Sequence, residues 1–169
     1  MGRWIDDYCA LEELTGARRA FRLQAVAGET VAGKDRAVRA ARIARATLGL
    51  TVDEPVRDIC GLLDSAGVKV FLKPVASDGF FGLSVGPAEG GPAVVVNTWE
   101  RISVERWIFS VAHELGHLLL HLEAYETEQD EEDIAHEREA DAFAAEFLMP
   151  DGVFWREWGA TPPRGHRTT

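Results

Sequence analysis

The sequence has few cysteines and lacks any long apolar run. Its 169 residues include two cysteines, Cys9 and Cys60, which lie far apart and form no CxxC pair. This pattern excludes a disulfide framework and a zinc site built from thiolates, and we expect a reducing cytoplasm as the compartment. No stretch reaches the roughly 18 uninterrupted apolar residues of a membrane span. The acidic start, MGRWIDDYCALEELTG, is unlike a signal peptide.

Positive charge is also scarce and unevenly distributed. The net charge is −10, yet residues 1–50 carry nine Arg/Lys against six Asp/Glu, a balance of +3 that leaves −13 for the remainder. Because phosphate binding needs a basic surface, we expect no direct binding of nucleic acid. The arginines of the first part repeat at helical spacing at Arg36, Arg39, Arg42 and Arg45. We favour a solvated or intramolecularly paired face over a docking face for an acidic or nucleic-acid partner.

Composition and periodicity predict an α+β fold. Hydrophobic residues make up 46% of the chain and charged residues 27%, as in ordinary globular proteins. Apolar spacing predicts helices over residues 5–14, 35–48, 55–66 and 104–122, a further helix that ends before Pro150, and strands over 68–72, 80–85 and 93–97. We therefore expect a short three-stranded sheet packed on helices. The expected division is an N-terminal helical arm (1–35), a main domain (36–158) and a flexible tail (159–169).

The stretch SVAHELGHLLLH, residues 110–121, places polar groups in an otherwise apolar helix. On a helix, His113 and His117 lie one turn apart on the same side, so both imidazoles can reach one metal ion. Nitrogen ligands at about 2.0 to 2.1 Å suit zinc, and manganese is an alternative when a carboxylate joins them. Glu114 projects from another side, where it can act on water as a general base. HExxH therefore predicts two ligands and a base.

A catalytic zinc site needs a third protein ligand. His121 lies about 12 Å further along the helix axis than His113, too far to share an ion. The acidic residues and His136 downstream leave several candidates, of which we prefer Glu137 over Glu139. Only Glu137 brings a carboxylate one turn later, Asp141, which can accept the outer N–H of a ligand histidine.

The alternative interpretation of these residues is a pair of hydrogen-bonded core histidines beside a capped or exposed Glu114. Three uncompensated polar groups on one buried helix would be costly. A metal site removes that cost, so we favour it. HExxH alone arises by chance often enough to need this structural context.

The same residues resemble the ImmA/IrrE family of metallopeptidases, in which a helix with HELGH precedes a helix of the form ExEAxxFAxxLLMP. This chain reads AHELGHLLLH and then EREADAFAAEFLMP, with Phe147 where leucine is frequent. The likeness also covers RIARATLGL, PVRDICGLLDSAGVKVF and AVVVN, and so roughly residues 38–158. Residues 1–35 are too short for the helix-turn-helix domain that many relatives carry, so we do not expect DNA binding in cis.

The resemblance implies a small zincin-like (gluzincin-like) peptidase domain that cleaves a DNA-binding repressor in a stress, prophage or mobile-element response. It implies zinc ligands at His113, His117 and Glu137, with Glu114 acting on water. A sequestering module that holds a repressor or antitoxin-like partner without turnover is the alternative function, and a zinc hydrolase with a non-peptide substrate is another.

Peptide hydrolysis also needs a second donor for the oxyanion. Candidates for oxyanion or substrate contacts are His121, Tyr125, His136 and, at the end of AVVVN, Asn97. The strand AVVVN can either pair with an extended substrate as an edge strand or lie in the core.

Overall fold

The computed structural model describes residues 2–29, 33, 35–121 and 134–157. Within these residues the fold combines seven helices with one three-stranded sheet, as the α+β prediction requires. The helices are α1 (Gly2–Thr15), α2 (Gln24–Glu29), α3 (Arg36–Thr47), α4 (Ile59–Ser65), α5 (Val104–Leu120), α6 (Ile134–Leu148) and α7 (Asp151–Glu157). The strands are β1 (Lys69–Lys73), β2 (Gly82–Val85) and β3 (Ala93–Asn97), with a 3-10 turn at Pro87–Glu89.

The helix predicted over residues 55–66 begins later than expected. Asp58 caps α4, because its side chain accepts a hydrogen bond of 2.9 Å from the backbone N–H of Gly61. The predicted start at Pro55 is therefore wrong. The predicted end is confirmed, since Gly67 follows the helix with a positive φ of 80°, a conformation that glycine adopts without strain.

Helices α2 and α7 were not predicted. α2 has six residues and α7 has seven, too few for the apolar repeat that reveals a longer helix. Leu23, just before α2, and Val26 inside it are nevertheless fully buried in the main core. These two side chains of the N-terminal segment therefore belong to the same core as the later helices and strands. The division of the chain at residue 35 stays a prediction.

β3 lies at the centre of the sheet, in the order β1-β3-β2. It pairs in parallel with β1 and antiparallel with β2, and all five of its residues are buried. The idea that AVVVN pairs with a substrate as an edge strand is therefore wrong, because both of its edges are already occupied. An unbroken apolar run is typical of a strand covered on both faces. β2 is the edge strand beside it.

α5 and α6 pack closely where Gly116 faces Ala140 and Phe143. A Cβ atom at Gly116 would lie 3.2 Å from Ala140 Cα and 3.2 Å from Phe143 Cδ1. The absence of a side chain at Gly116 thus lets the two helices approach. Ser103 caps the start of α5, because its hydroxyl accepts a hydrogen bond of 3.3 Å from the N–H of Arg106.

The arginines of α3 bind within the molecule. Arg45 is 3% exposed, and its guanidinium donates to the carbonyls of Phe147 at 2.6 Å, Thr51 at 2.8 Å and Glu54. Arg42 Nε donates to Glu146 Oε1 at 2.7 Å. The intramolecular interpretation of the arginine repeat is confirmed for these two positions, which join α3 to the end of α6.

No described helix is long and apolar enough to cross a membrane. The predicted stop before Pro150 is confirmed, since α6 ends at Leu148. The predicted tail at 159–169 and most of the acidic segment between α5 and α6 lie outside the described residues.

Candidate metal centre

His113, His117 and Glu137 converge where α5 faces α6. One ligand atom from each lies within 4.8 Å of the others. His113 Nε2 is 3.0 Å from His117 Nε2, and the two carboxylate oxygens of Glu137 lie 3.2 Å and 3.1 Å from these nitrogens. Ligands about 2.0 to 2.1 Å from one ion in a tetrahedral arrangement are spaced roughly 3.3 Å apart. The donor set and its spacing therefore fit a metal ion such as zinc, and these residues could hold one.

Each histidine of this cluster has a polar partner on its outer nitrogen. His113 Nδ1 lies 3.0 Å from Asp141 Oδ1, one turn beyond Glu137 on α6. His117 Nδ1 lies 3.1 Å from the ring nitrogen Nδ1 of His121. Both histidines therefore turn their Nε2 atoms toward Glu137. Glu139 lies apart from the cluster, 3.0 Å from His121 Nε2.

Burial keeps His117 neutral. Burial chiefly, together with the neighbouring rings of His113, His121 and His136, lowers the pKa of the imidazole to about 3. A neutral ring has a nitrogen lone pair, which a metal ion needs. His117 thus offers that lone pair throughout the physiological pH range.

Glu114 is buried beside this cluster, with 8% of its surface exposed. Ser84 Oγ on β2 donates a hydrogen bond of 3.0 Å to Glu114 Oε2. Burial raises the pKa of Glu114 to about 7, the Ser84 hydrogen bond opposes the rise, and the charge of Glu137 adds to it. A carboxyl group with a pKa near neutrality can both take up and return a proton.

A cleft of about 650 Å³ opens onto these residues. One wall is the segment 79–84, which leads into and includes most of the edge strand β2, and the other is formed by α5 and α6. Its lining includes Phe80, Phe81 and Phe109, and the guanidinium of Arg106 lies over the Phe81 ring at 4.3 Å. The cleft therefore combines aromatic walls with a carboxyl group and the candidate metal ligands.

Two predicted contacts in the cleft are wrong. Asn97 is fully buried, and its amide donates to the carbonyls of Val75 at 2.8 Å and Phe80 at 2.9 Å, so it holds the loop before β2 instead of a substrate. His121 is 4% exposed and lies behind His117, away from the cleft lining.

The other two candidate contacts remain predictions. The His136 ring stacks on His121 at a centroid distance of 4.1 Å. Tyr125 lies outside the described residues.

Sequence reasoning missed Ser84 and Gly82. Ser84 contacts Glu114 from a strand 30 residues earlier, and a Cβ atom at Gly82 would lie 2.8 Å from Glu114 Oε1. No local spacing rule connects a strand to a helix across such a separation. The only available signal was a glycine within a strand, which often marks a close approach of another group.

Comparison with known proteins identifies the family. The sequence model of the Peptidase_M78 family, described as the IrrE N-terminal-like domain, matches residues 63–161. No curated protein is a significant match to this chain. The matched segment spans more than half of the chain and contains α5, α6 and the residues that converge between them. The chain therefore belongs to the Peptidase_M78 family of peptidases with an IrrE N-terminal-like domain, as its resemblance to the ImmA/IrrE family implied.

Proposed function

We propose that the protein is a zinc-dependent endopeptidase in which His113, His117 and Glu137 hold the metal and Glu114 acts as the general base. The observation that carries the proposal is the convergence of these three residues beside a buried carboxyl group with a pKa of about 7. Membership of a peptidase family supports hydrolysis of a peptide bond. Manganese is the alternative metal, because the site includes a carboxylate.

Each residue of the site has its own role in the proposed hydrolysis. A bound metal would polarise the scissile carbonyl and make water more acidic. Glu114 takes the proton of the attacking water and passes it to the leaving amine, a task that suits a pKa near neutrality. Ser84 holds the carboxyl group of Glu114 in place through its hydrogen bond. Asp141 orients the ring of His113.

The substrate lies along β2 in this proposal. β2 is an edge strand, and residues from Gly82 to Ser84 line the cleft beside Glu114. An extended peptide can add to such an edge through main-chain hydrogen bonds, while pockets select its alternate side chains. Phe81 and Phe109 on the cleft walls offer apolar surface to such side chains.

The proposed substrate is a DNA-binding repressor of the helix-turn-helix type, and its cleavage would induce a stress, prophage or mobile-element response in the cytoplasm. This choice rests on the likeness to the ImmA/IrrE family. Sequestration of a repressor without turnover is the alternative. A sequestering protein has no use for a buried Glu114 beside the metal ligands, so the geometry favours an enzyme.

The proposal is tested by cleavage of a helix-turn-helix repressor encoded next to this protein. Wild type, Glu114→Gln and Glu105→Gln are compared, each with its zinc content measured. Glu105 is a matched control, because it is an exposed carboxylate on the same helix. We expect about one zinc in all three proteins, and cleavage by wild type and Glu105→Gln only. Binding of the repressor with no cleavage by any of them would favour sequestration.

A further inference from the structure

A chain of polar contacts leads from His117 away from the cleft. His117 Nδ1 is 3.1 Å from His121 Nδ1, and His121 Nε2 is 3.0 Å from Glu139 Oε2. Glu139 Oε2 in turn lies 2.9 Å from Arg36 Nη2. We call the set His121, Glu139 and Arg36 the His117 relay. It joins three helices, since its members come from the end of α5, from α6 and from α3.

The relay favours one position of the proton on each imidazole. A neutral imidazole has one N–H and one lone pair, and a carboxylate can only accept. Glu139 therefore requires the proton of His121 on Nε2, which leaves a lone pair on His121 Nδ1. That lone pair requires the proton of His117 on Nδ1. His117 Nε2 then carries the lone pair that a metal ion needs. Without a cation, Glu137 Oε1 at 3.1 Å is an acceptor that competes for the ring proton at this nitrogen.

We infer that His121 is a positioning residue that selects the metal-binding tautomer of His117 and fixes the orientation of its ring. The inference rests on the proposed function, because it takes His117 as a metal ligand. Outer hydrogen bonds of this kind orient ligand histidines in metal sites generally. In this site the outer partner of His117 is a second histidine. Because Glu139 accepts the N–H of His121 at Nε2, His121 can accept the N–H of His117 at Nδ1.

The surroundings of His121 hold the relay in this geometry. His121 is 4% exposed, and its ring stacks on His136 with an angle of 24° between the planes. Arg36 Nη2 also donates to the carbonyl of Leu120 at 3.1 Å, so the cation that holds Glu139 is anchored to the end of α5. The outer partner of His113, in contrast, is Asp141, whose side chain is 62% exposed. The outer partner of His117 is therefore buried, whereas the outer partner of His113 is largely exposed to solvent.

Substitutions at His121 separate positioning from packing. His121→Asn keeps an oxygen acceptor near the place of Nδ1, whereas His121→Phe keeps the stacked ring and removes both nitrogens. We expect His121→Phe to bind zinc and cobalt roughly 10- to 100-fold more weakly than wild type in a chelator competition with the metal-free full chain. His121→Asn restores most of the affinity. Glu139→Ala, which removes a partly exposed carboxylate, shifts affinity in the same direction as His121→Phe.

Ring ¹⁵N shifts of the metal-free protein report the tautomer directly. We expect a larger share of His117 with its proton on Nδ1 in wild type and in His121→Asn than in His121→Phe, where Glu137 is left to accept from the ring at Nε2. Thermal unfolding of each metal-free variant measures any general loss of stability. Equal weakening of metal binding by Phe and Asn, or an unchanged His117 tautomer in His121→Phe, would overturn the inference.

The variant His117→Ala distinguishes failure of this inference from failure of the proposed function. Loss of zinc in His117→Ala with full affinity in His121→Phe overturns the positioning role alone. Retention of tightly bound zinc by His117→Ala overturns the proposed metal site, and the positioning role with it.

Discussion

Burial makes the charge of Glu114 costly in the metal-free protein. Its pKa rises from 4.5 to about 7 on folding, so the folded state binds the proton more tightly than the unfolded chain. The stabilisation that comes from this tighter proton binding is fully present below pH 4.5 and is lost as the pH rises through about 7. A shift of this size corresponds to roughly 3 kcal/mol in the free energy of unfolding.

We therefore expect Glu114→Gln to remove this pH dependence. In denaturant unfolding of the metal-free protein between pH 4.5 and 8, wild type loses stability relative to the Gln variant as the pH rises. Glu105→Gln, with an exposed carboxylate, keeps the decline of wild type. Parallel stability curves for wild type and Glu114→Gln would contradict the cause assigned to the raised pKa.

The sequence predicted single residues of the site only where a local rule applied. The spacing of His113 and His117 along one helix, and of Glu137 and Asp141 along another, follows from helix geometry. The structure brings all four together. Contacts between elements followed no such rule, and Ser84 was therefore missed.

At the scale of elements, the close contact of β2 with α5 depends on Gly82. A Cβ atom there would lie 2.8 Å from Glu114 Oε1 and 3.1 Å from the carbonyl oxygen of Val95. We expect Gly82→Ala to displace the Glu114 carboxylate by a few tenths of an ångström or more and to lower kcat by up to about 10²-fold. Zinc content should stay at the wild-type value, because no proposed metal ligand is among the contacts. Gly152→Ala, where an added Cβ meets no atom within 4 Å, is the control.

The contact of α5 with α6 depends in the same way on Gly116. Valine at this position would push against Ala140 and Phe143, and overpacking of this kind typically costs about 1 to 3 kcal/mol. Since α6 carries Glu137, we expect Gly116→Val to lower both the melting temperature and the affinity for zinc. A lower melting temperature with unchanged zinc affinity would mean that the ligands tolerate movement of α6.

The bounds of helices and strands were predicted correctly where buried residues recur regularly along the sequence. The helix containing HELGH was predicted from residue 104 and begins at Val104, and β3 was predicted over 93–97 and spans Ala93–Asn97. The start of α4 was set by the cap at Asp58, a local hydrogen bond that apolar spacing does not reveal. The central place of β3 is a matter of pairing between strands, which periodicity cannot supply.

At the scale of the whole molecule, Arg45 joins three segments through one buried guanidinium. Burial lowers the pKa of this group, and its hydrogen bonds to the carbonyls of Phe147, Thr51 and Glu54 offset the cost of burial. We expect Arg45→Met to destabilise the fold by about 3 kcal/mol or more, since it leaves buried carbonyls without donors. Arg57→Met, at an exposed arginine, should change the free energy of unfolding by less than about 0.5 kcal/mol.

α3 lies outside the segment that matches the family, yet it packs in the same core. The matched segment begins at residue 63, whereas α3 ends at Thr47. Ala40, Ala41 and Ala44 of α3 nevertheless pack in one core with Phe143 and Phe147 of α6. A segment limited to residues 63–161 would leave these two phenylalanines without the alanines of α3 that they pack with. The candidate metal centre therefore depends on packing against α3 as well as on the matched segment.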